Sequence, residues 1–246
     1  LKTILATQHN FRDLGGIPAA DGMKIKPGVL FRSGDLYSLS GDDIRKLEKM
    51  KLAMIIDLRA GREIDLRPDK TIATVKEIVH IDIHDAARDK AEKFLEDNDA
   101  KGLESVLIGD YVQMVDLHQA DFRQFLDLVA TTGNLPLVYH CAAGKDRTGM
   151  ATVFLLAALG VDIRDIWVDY MATNEFTAHA ADKIINKVTA SGMNGGILRP
   201  LLEVREEYLR AALTEIDRKY GGLECYVENI LKADSAKLKE KYLTIL

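Results

Sequence analysis

Residues 135–160, LPLVYHCAAGKDRTGMATVFLLAALG, change character twice within one stretch. LPLVYH is a short apolar run of strand type, HCAAGKDRTG (140–149) is a compact loop of small and charged residues, and 148–159 is an apolar helix that Gly160 ends. A strand, a tight loop and a helix N-terminus in that order make an anion site. The backbone N–H groups of Ala142, Ala143, Gly144, Lys145, Asp146 and Arg147 can curl around one centre, with the positive end of the helix turned toward it. Gly144 permits a backbone conformation that a side chain would obstruct. Arg147 supplies a planar fork that matches two phosphate oxygens, which a lysine does not offer. Cys141 lies at the floor of this cradle, and thiols beside a helix N-terminus and an arginine ionise at about 3.5–7.5 rather than about 8.5. The loop would therefore both generate a nucleophile and hold a phosphate for it. The alternative is a buried structural cysteine beside an ordinary strand-to-helix turn.

Outward from the loop, apolar or alternating runs at 28–32, 53–58, 78–83 and 135–139 read as strands. Between the first two, SLSGDDIRKLEKMK carries Ser40 as a cap and Asp42 and Asp43 at the positive end of a helix. Strand, helix, strand predicts an α/β fold: a mostly parallel central sheet flanked by helices, with the cysteine loop between a strand and a helix. Residues 91–131 read as a helical insertion, with Tyr111, Val112, Val115, Phe122, Phe125 and Leu126 at helical spacing. That spacing fits core packing, and a lid over the loop is the rival reading. After His140 no segment reads as a strand. Helices are expected at 163–171, at 177–190 and from Pro200 to Tyr220, so the C-terminal half is helical and the whole of 1–246 reads as one domain.

The 246 residues carry 33 Lys and Arg against 38 Asp and Glu, a formal charge of −5, which argues against nucleic acid as a partner. The two cysteines, Cys141 and Cys225, form no CxxC pair and no histidine cluster accompanies them, so neither a metal site nor a disulfide framework is expected. No apolar run reaches the ~18 residues of a transmembrane helix. The chain begins at Leu1, which leaves a cytoplasmic or a secreted location open.

HCxxGxxRTG resembles the signature loop of the cysteine-dependent protein tyrosine phosphatases. NFRDLGG (10–16), LFRSGDLYSLS (30–40), IIDLRAGREI (55–64), DYMATN (169–174), EYLRAAL and YGGLECYV are similar to the bacterial and fungal branch with an NFRD-type N-terminus. That branch includes secreted mycobacterial phosphatases acting on tyrosine, serine/threonine and lipid phosphates. The resemblance implies phosphate monoester hydrolysis through a phosphocysteine, without metal or cofactor. Cys141 would be nucleophile and Arg147 clamp, with His140 tuning and orienting the cysteine and Thr148 hydrogen-bonded to its sulfur. It implies a phosphotyrosine protein or peptide as substrate, with a phosphoinositide or broad-specificity phosphatase as the alternative. A catalytically silent phosphate-binding module and a sulfur-transfer or arsenate-reducing enzyme are more distant rivals.

The leaving group needs a proton from a carboxylic acid. Asp85, just past the third strand, is the favoured donor, ahead of Asp82 and Asp89, and Asp146 inside the loop is its rival. His84 reads as a surface or packing residue. Lys145 is expected at the rim, where it could meet a second phosphate. Arg12 with Asp13, and Asp57 with Arg59, read as structural supports of the site, and Cys225 as a packing residue.

Overall fold

The computed structural model describes residues 4–8, 10–84 and 86–245, with the backbone alone over 86–89. Its strands are β1 (Arg12–Asp13), β2 (Pro18–Ala19), β3 (Met23–Ile25), β4 (Leu30–Ser33), β5 (Met54–Asp57), β6 (Glu77–His80), β7 (Leu137–His140) and β8 (Leu243–Ile245). Five of them form one sheet in the order β1-β4-β7-β5-β6. In it β4, β7, β5 and β6 run parallel, and β1 pairs antiparallel with β4. This is the α/β architecture expected from the sequence. The three short strands β2, β3 and β8 make a second, antiparallel sheet. β8 corrects the expectation that no strand follows His140: three residues pairing with β3 are too short to carry a readable period.

The two-residue alternation of the strands divides the core. Leu30, Met54, Ile56, Leu137 and Tyr139 point into the principal cluster, while Phe31, Ile55 and Val138 point to the other face of the sheet. The second face is closed by Leu47 of α1 (Gly41–Lys49), with Leu5, Phe11 and Ile72. Ser40 caps α1 by accepting from the Asp43 amide at 3.1 Å. Asp43 in turn accepts from the amides of Ala6 and Thr7 at 2.9 and 2.8 Å, which ties the N-terminal segment down beside the sheet.

The remaining helices are α2 (Gly61–Leu66), α3 (Ala86–Glu96), α4 (Ala100–Leu117), α5 (Gln119–Thr131), α6 (Asp146–Ala158), α7 (Ile163–Ala190), α8 (Arg199–Leu202), α9 (Glu206–Tyr220), α10 (Leu223–Cys225) and α11 (Ser235–Tyr242). Tyr111, Val115, Phe122, Phe125 and Leu126 are buried in the principal core and Val112 is half-buried, so α4 and α5 pack as core helices. Cys225 is exposed, which corrects its reading as a packing residue.

Two expected boundaries move, and one side chain moves both. The helices expected at 163–171 and 177–190 are one 28-residue helix, α7, whereas the one expected from Pro200 to Tyr220 breaks at 203–205. Asn174 on α7 donates through Nδ2 to Val204 O at 2.9 Å and accepts from Val204 N at 2.8 Å. Val204, between the extended Glu203 and Arg205, is buried and held by a pair of bonds that replace those a continuous helix would supply. Thr173, the other weak helix former in the expected gap, accepts from Arg12 Nη2 at 3.1 Å.

Candidate active site

The loop 141–145 joins the carboxyl end of β7, the middle strand of the sheet, to the start of α6. In an open α/β sheet this is where a ligand crevice forms. The adjoining strand ends supply the flanks, with Gly34 and Asp35 after β4 on one side and 58–63 after β5 on the other.

The carbonyl oxygens of residues 141–144 are each engaged by a group outside those four residues. Cys141 O accepts from His140 Nδ1 at 3.0 Å and Ala142 O from the Asp35 amide at 2.9 Å. Ala143 O accepts from Asn10 Nδ2 at 2.8 Å, and Gly144 O from Arg32 Nη2 at 2.9 Å and Asn10 Nδ2 at 3.1 Å. With the carbonyls drawn outward, the peptide planes turn their N–H groups the other way. Among the described residues none of the amides of Ala142, Ala143, Gly144 and Lys145 has an acceptor. Gly144 is at φ +70°, and a Cβ there would lie 2.3 Å from Ser33 O, so glycine is required by both conformation and space.

Asn10, Arg12, Arg32 and Asp169 form the brace beneath the loop. Asp169 Oδ1 lies 3.0 Å from Arg12 Nε and its Oδ2 lies 2.5 Å from Arg32 Nη1. Arg12 Nη1 also donates to Asn10 Oδ1. All four residues are buried. Burial alone would raise the Asp169 carboxyl, but the charges of Arg32 and Arg12 overcome it and hold it below its ordinary range. Arg12 is lowered to about 10, by burial first and then by Arg32. NFRD and DYMATN, 157 positions apart at this contact, thus act on one loop.

Cys141 is buried at the base of the cradle. Arg147 is buried and aligned by Glu63 of α2, with Nη1–Oε2 at 2.6 Å and Nη2–Oε1 at 2.9 Å. Its Nη1 also donates to Ile83 O at 3.2 Å, which brings the segment after β6 against the clamp. Glu63 itself accepts from the Ala60 amide at 3.0 Å at the start of α2. Sequence reasoning missed Glu63. Its signal was a carboxylate three residues past a helix start, which reads as ordinary capping chemistry.

His140 is fully buried. Its Nε2 lies 2.9 Å from Asp69 Oδ2, at ion-pair distance but off the axis of a straight hydrogen bond. Burial would lower this imidazole, yet Asp69, and then Asp57, push it up to about 9. Asp57 and Arg59 form the expected support, with Arg59 Nη2 2.7 Å from Asp57 Oδ2 and 3.0 Å from Asp69 Oδ1. Asp57, Asp69 and His140 also bring three possible metal-ligand atoms within 4.8 Å of one another. The guanidinium of Arg59 already binds both carboxylates there, so the group does not fit a metal ion.

Other expectations change. Thr148 Oγ1 is buried and has no hydrogen-bond partner among the described residues, so the bond to the Cys141 sulfur is not made. Lys145 is not a solvated rim charge: it is buried, with Nζ 2.7 Å from Asp146 Oδ1. That same oxygen accepts from Tyr111 at 2.8 Å, and Tyr170 donates to Tyr111 at 2.9 Å. Burial and the Asp146 charge raise Tyr111 well above an ordinary phenol, so it stays a donor. Arg12 braces the loop as expected, and Asp13 accepts from the amides of Gly15 and Gly28 at 2.8 and 2.7 Å, fixing a turn. Asp82 and His84 are exposed, the side chain of Asp89 is not described, and Asp85 lies outside the described residues.

A buried cysteine beneath unpaired loop amides, followed by a buried arginine in the first turn of the next helix, is the arrangement that a cysteine-dependent phosphatase needs. Residues 4–244 match the model of the tyrosine phosphatase family, and the chain belongs to that family. It is 31% identical over 244 residues to a protein of Cupriavidus necator named as a tyrosine-protein phosphatase, covering 96% of this chain and 86% of that one. It is 28% identical over 261 residues to the triple specificity protein phosphatase PtpB of Mycobacterium tuberculosis, covering 89% and 90%. The core catalytic domain of the PP-IP phosphatase SIW14 from S. cerevisiae aligns with a TM-score of 0.40 at 14% identity, over 76% of this chain and 96% of that one. No described helix is long and apolar enough to cross a membrane.

Proposed function

We propose that the protein removes phosphate from phosphotyrosine in proteins or peptides, with Cys141 as nucleophile. The single observation that carries this reading is the loop's polarity: its carbonyls are bound outward and its amides turned inward above a buried cysteine. The phosphate oxygens take those amides and the Arg147 guanidinium. Cys141 Sγ attacks phosphorus, the ester P–O bond breaks, and a carboxylic acid gives its proton to the leaving phenolate oxygen. Water then attacks the phosphocysteine while the same carboxylate takes up its proton. The P–S bond breaks, and thiolate and inorganic phosphate are restored.

Asp85 is the acid we propose. Ile83 O already contacts Arg147, and Asp85 is two residues further on. Asp146, the rival, has one oxygen occupied by Lys145 and Tyr111. A cleft of about 300 Å³ beside the loop is lined by the polar Gln8, Asp35 and Arg67 and the apolar Phe176, Ile184 and Leu202, a lining suited to a phosphorylated ring with peptide polarity around it. The broad-specificity alternative draws on the triple specificity relative.

The test pairs two variants. Cys141→Ser should abolish turnover while retaining binding of a phosphotyrosine peptide, because the amides and Arg147 survive. Asp85→Asn should lose about 10²- to 10⁴-fold on poor leaving groups and little on activated aryl phosphates. Turnover by Cys141→Ser refutes the nucleophile. The leaving-group pattern in Asp146→Asn, with Asp85→Asn like wild type, moves the acid into the loop.

A further inference from the structure

The two carboxylates behind the loop outnumber the fixed cation between them. Asp57 is fully buried, Asp69 is half-buried with its side chain 9% exposed, and among the described residues the guanidinium they share is that of Arg59, which is buried. Two negative charges against one positive leave a net −1 in a low-dielectric pocket directly behind the nucleophile, an arrangement costly in itself and worse beside a thiolate. Among the described residues the buried group also in contact with both is His140, with Nε2 2.9 Å from Asp69 Oδ2 and Nδ1 3.9 Å from Asp57 Oδ1. A proton on His140 closes the balance. The other charged groups nearby do not: His80 on β6 lies 3.7 Å from Asp57 but is half-exposed, and the neighbouring Asp35 is paired with Arg67 at 3.0 Å. Asp69 is itself fixed, accepting from the Leu36 amide at 2.9 Å and from Arg59.

We propose that Asp69 is a positioning residue for the reaction: it holds His140 as an imidazolium whose other nitrogen donates to the Cys141 carbonyl, so that a positive charge stands behind the reactive sulfur. This rests on the assignment of Cys141 as nucleophile. Within the pair the positive end faces the cysteine and the negative end faces away, so the pair favours the thiolate even though its own net charge is zero. The raised imidazole agrees with this, as does the carboxyl of Asp69, which burial would raise but which His140 and Arg59 hold low. Nothing in the loop signature points to Asp69, which lies in RPDKT between α2 and β6.

The experiment measures the rate of Cys141 alkylation by iodoacetamide against pH in wild type, Asp69→Asn and Asp69→Glu, with the site read by mass spectrometry. Thiolate is the reacting form, so in Asp69→Asn the midpoint should move to higher pH and alkylation on the acidic side should fall about three- to tenfold. The acidic limb of kcat/KM should move with it, and Asp69→Glu should recover part of the shift. An unchanged midpoint in folded Asp69→Asn overturns the proposal, because a purely structural role would lower activity without moving the limb. Should Asp69→Asn not fold, the wild type still decides: an NMR titration showing His140 neutral at pH 7 overturns it, and a protonated ring at that pH supports it. Full phosphatase activity after complete alkylation of Cys141 would instead remove the nucleophile assignment on which it rests.

Discussion

Asp169→Asn removes one charge from the brace beneath the loop and leaves the shape of the side chain almost intact. The wild-type carboxylate is shared by Arg12 and Arg32, and the side chains involved are 8%, 8% and 0% exposed for Asp169, Arg12 and Arg32. Solvent therefore screens little of the contact, and the modest values measured for surface pairs do not apply. With asparagine in place, two guanidiniums that already repel one another remain buried without a counter-charge. Removing one partner of such a buried pair costs about 3–5 kcal/mol. For a chain of this size each kcal/mol moves the Tm by about 2–4 °C, so a fall of about 6–20 °C is expected by calorimetry or circular dichroism. The loss should also reach the site, because Arg32 donates to Gly144 O. Well below its Tm, the variant should bind phosphate or a phosphotyrosine peptide more weakly than wild type. Arg45→Gln is the control, since Arg45 pairs with Asp42 where both side chains are more than two-thirds exposed. A Tm within about 2 °C of wild type for Asp169→Asn would refute the reasoning, for it would mean that the arginines do not depend on this carboxylate.

Gly144→Ala should abolish phosphate binding and lower the Tm, since its Cβ would sit 2.3 Å from Ser33 O at a φ of +70°; phosphate binding by calorimetry at wild-type affinity would contradict that. The His140–Asp69 pair predicts a pH window. His140 is raised to about 9, so its contribution is full below the ordinary imidazole value of about 6.5 and is lost as pH rises through 9. Asp69 is lowered, so its contribution is present above the ordinary carboxylate range and is lost as pH falls below it. The Tm difference between wild type and Asp69→Asn should thus be largest near pH 5–7 and shrink on both sides, as thermal melts across pH would show. Lys145→Ala, which leaves Asp146 with Tyr111 alone, should lower kcat/KM about equally on a phosphotyrosine peptide and on a phosphoinositide; a loss confined to the phosphoinositide would restore the rim role expected from sequence.

The difference between what was legible in the sequence and what was not is a difference in range. The cradle is local: ten consecutive residues carry the proposed nucleophile and clamp, the required glycine and the helix start, and the physical chemistry of each is visible without knowing what lies beside it. The parallel strands are local too, because their apolar alternation declares two buried faces. Asp57 and Arg59 were readable as a pair for the same reason, being two positions apart on one strand end. Glu63, Asp69 and Asp169 were not, and each owes its role to a partner far away in sequence: Arg147, His140, and the two arginines of the N-terminal strands. Taken alone they are a capping glutamate, a turn aspartate and a helix aspartate. The same physics explains why α7 runs through Thr173 and Asn174. Their local preference is against helix, but Arg12 and Val204 supply partners that only the folded helix presents. The misplaced helix break and the missed charges are therefore one kind of error. In both, a polar side chain that looks expendable along the chain is fixed by a buried contact across the fold, and those contacts converge on the loop from below and behind. The loop sequence names the chemistry, while the residues that brace its carbonyls and pair with its arginine and histidine are distributed over the first and last thirds of the described chain.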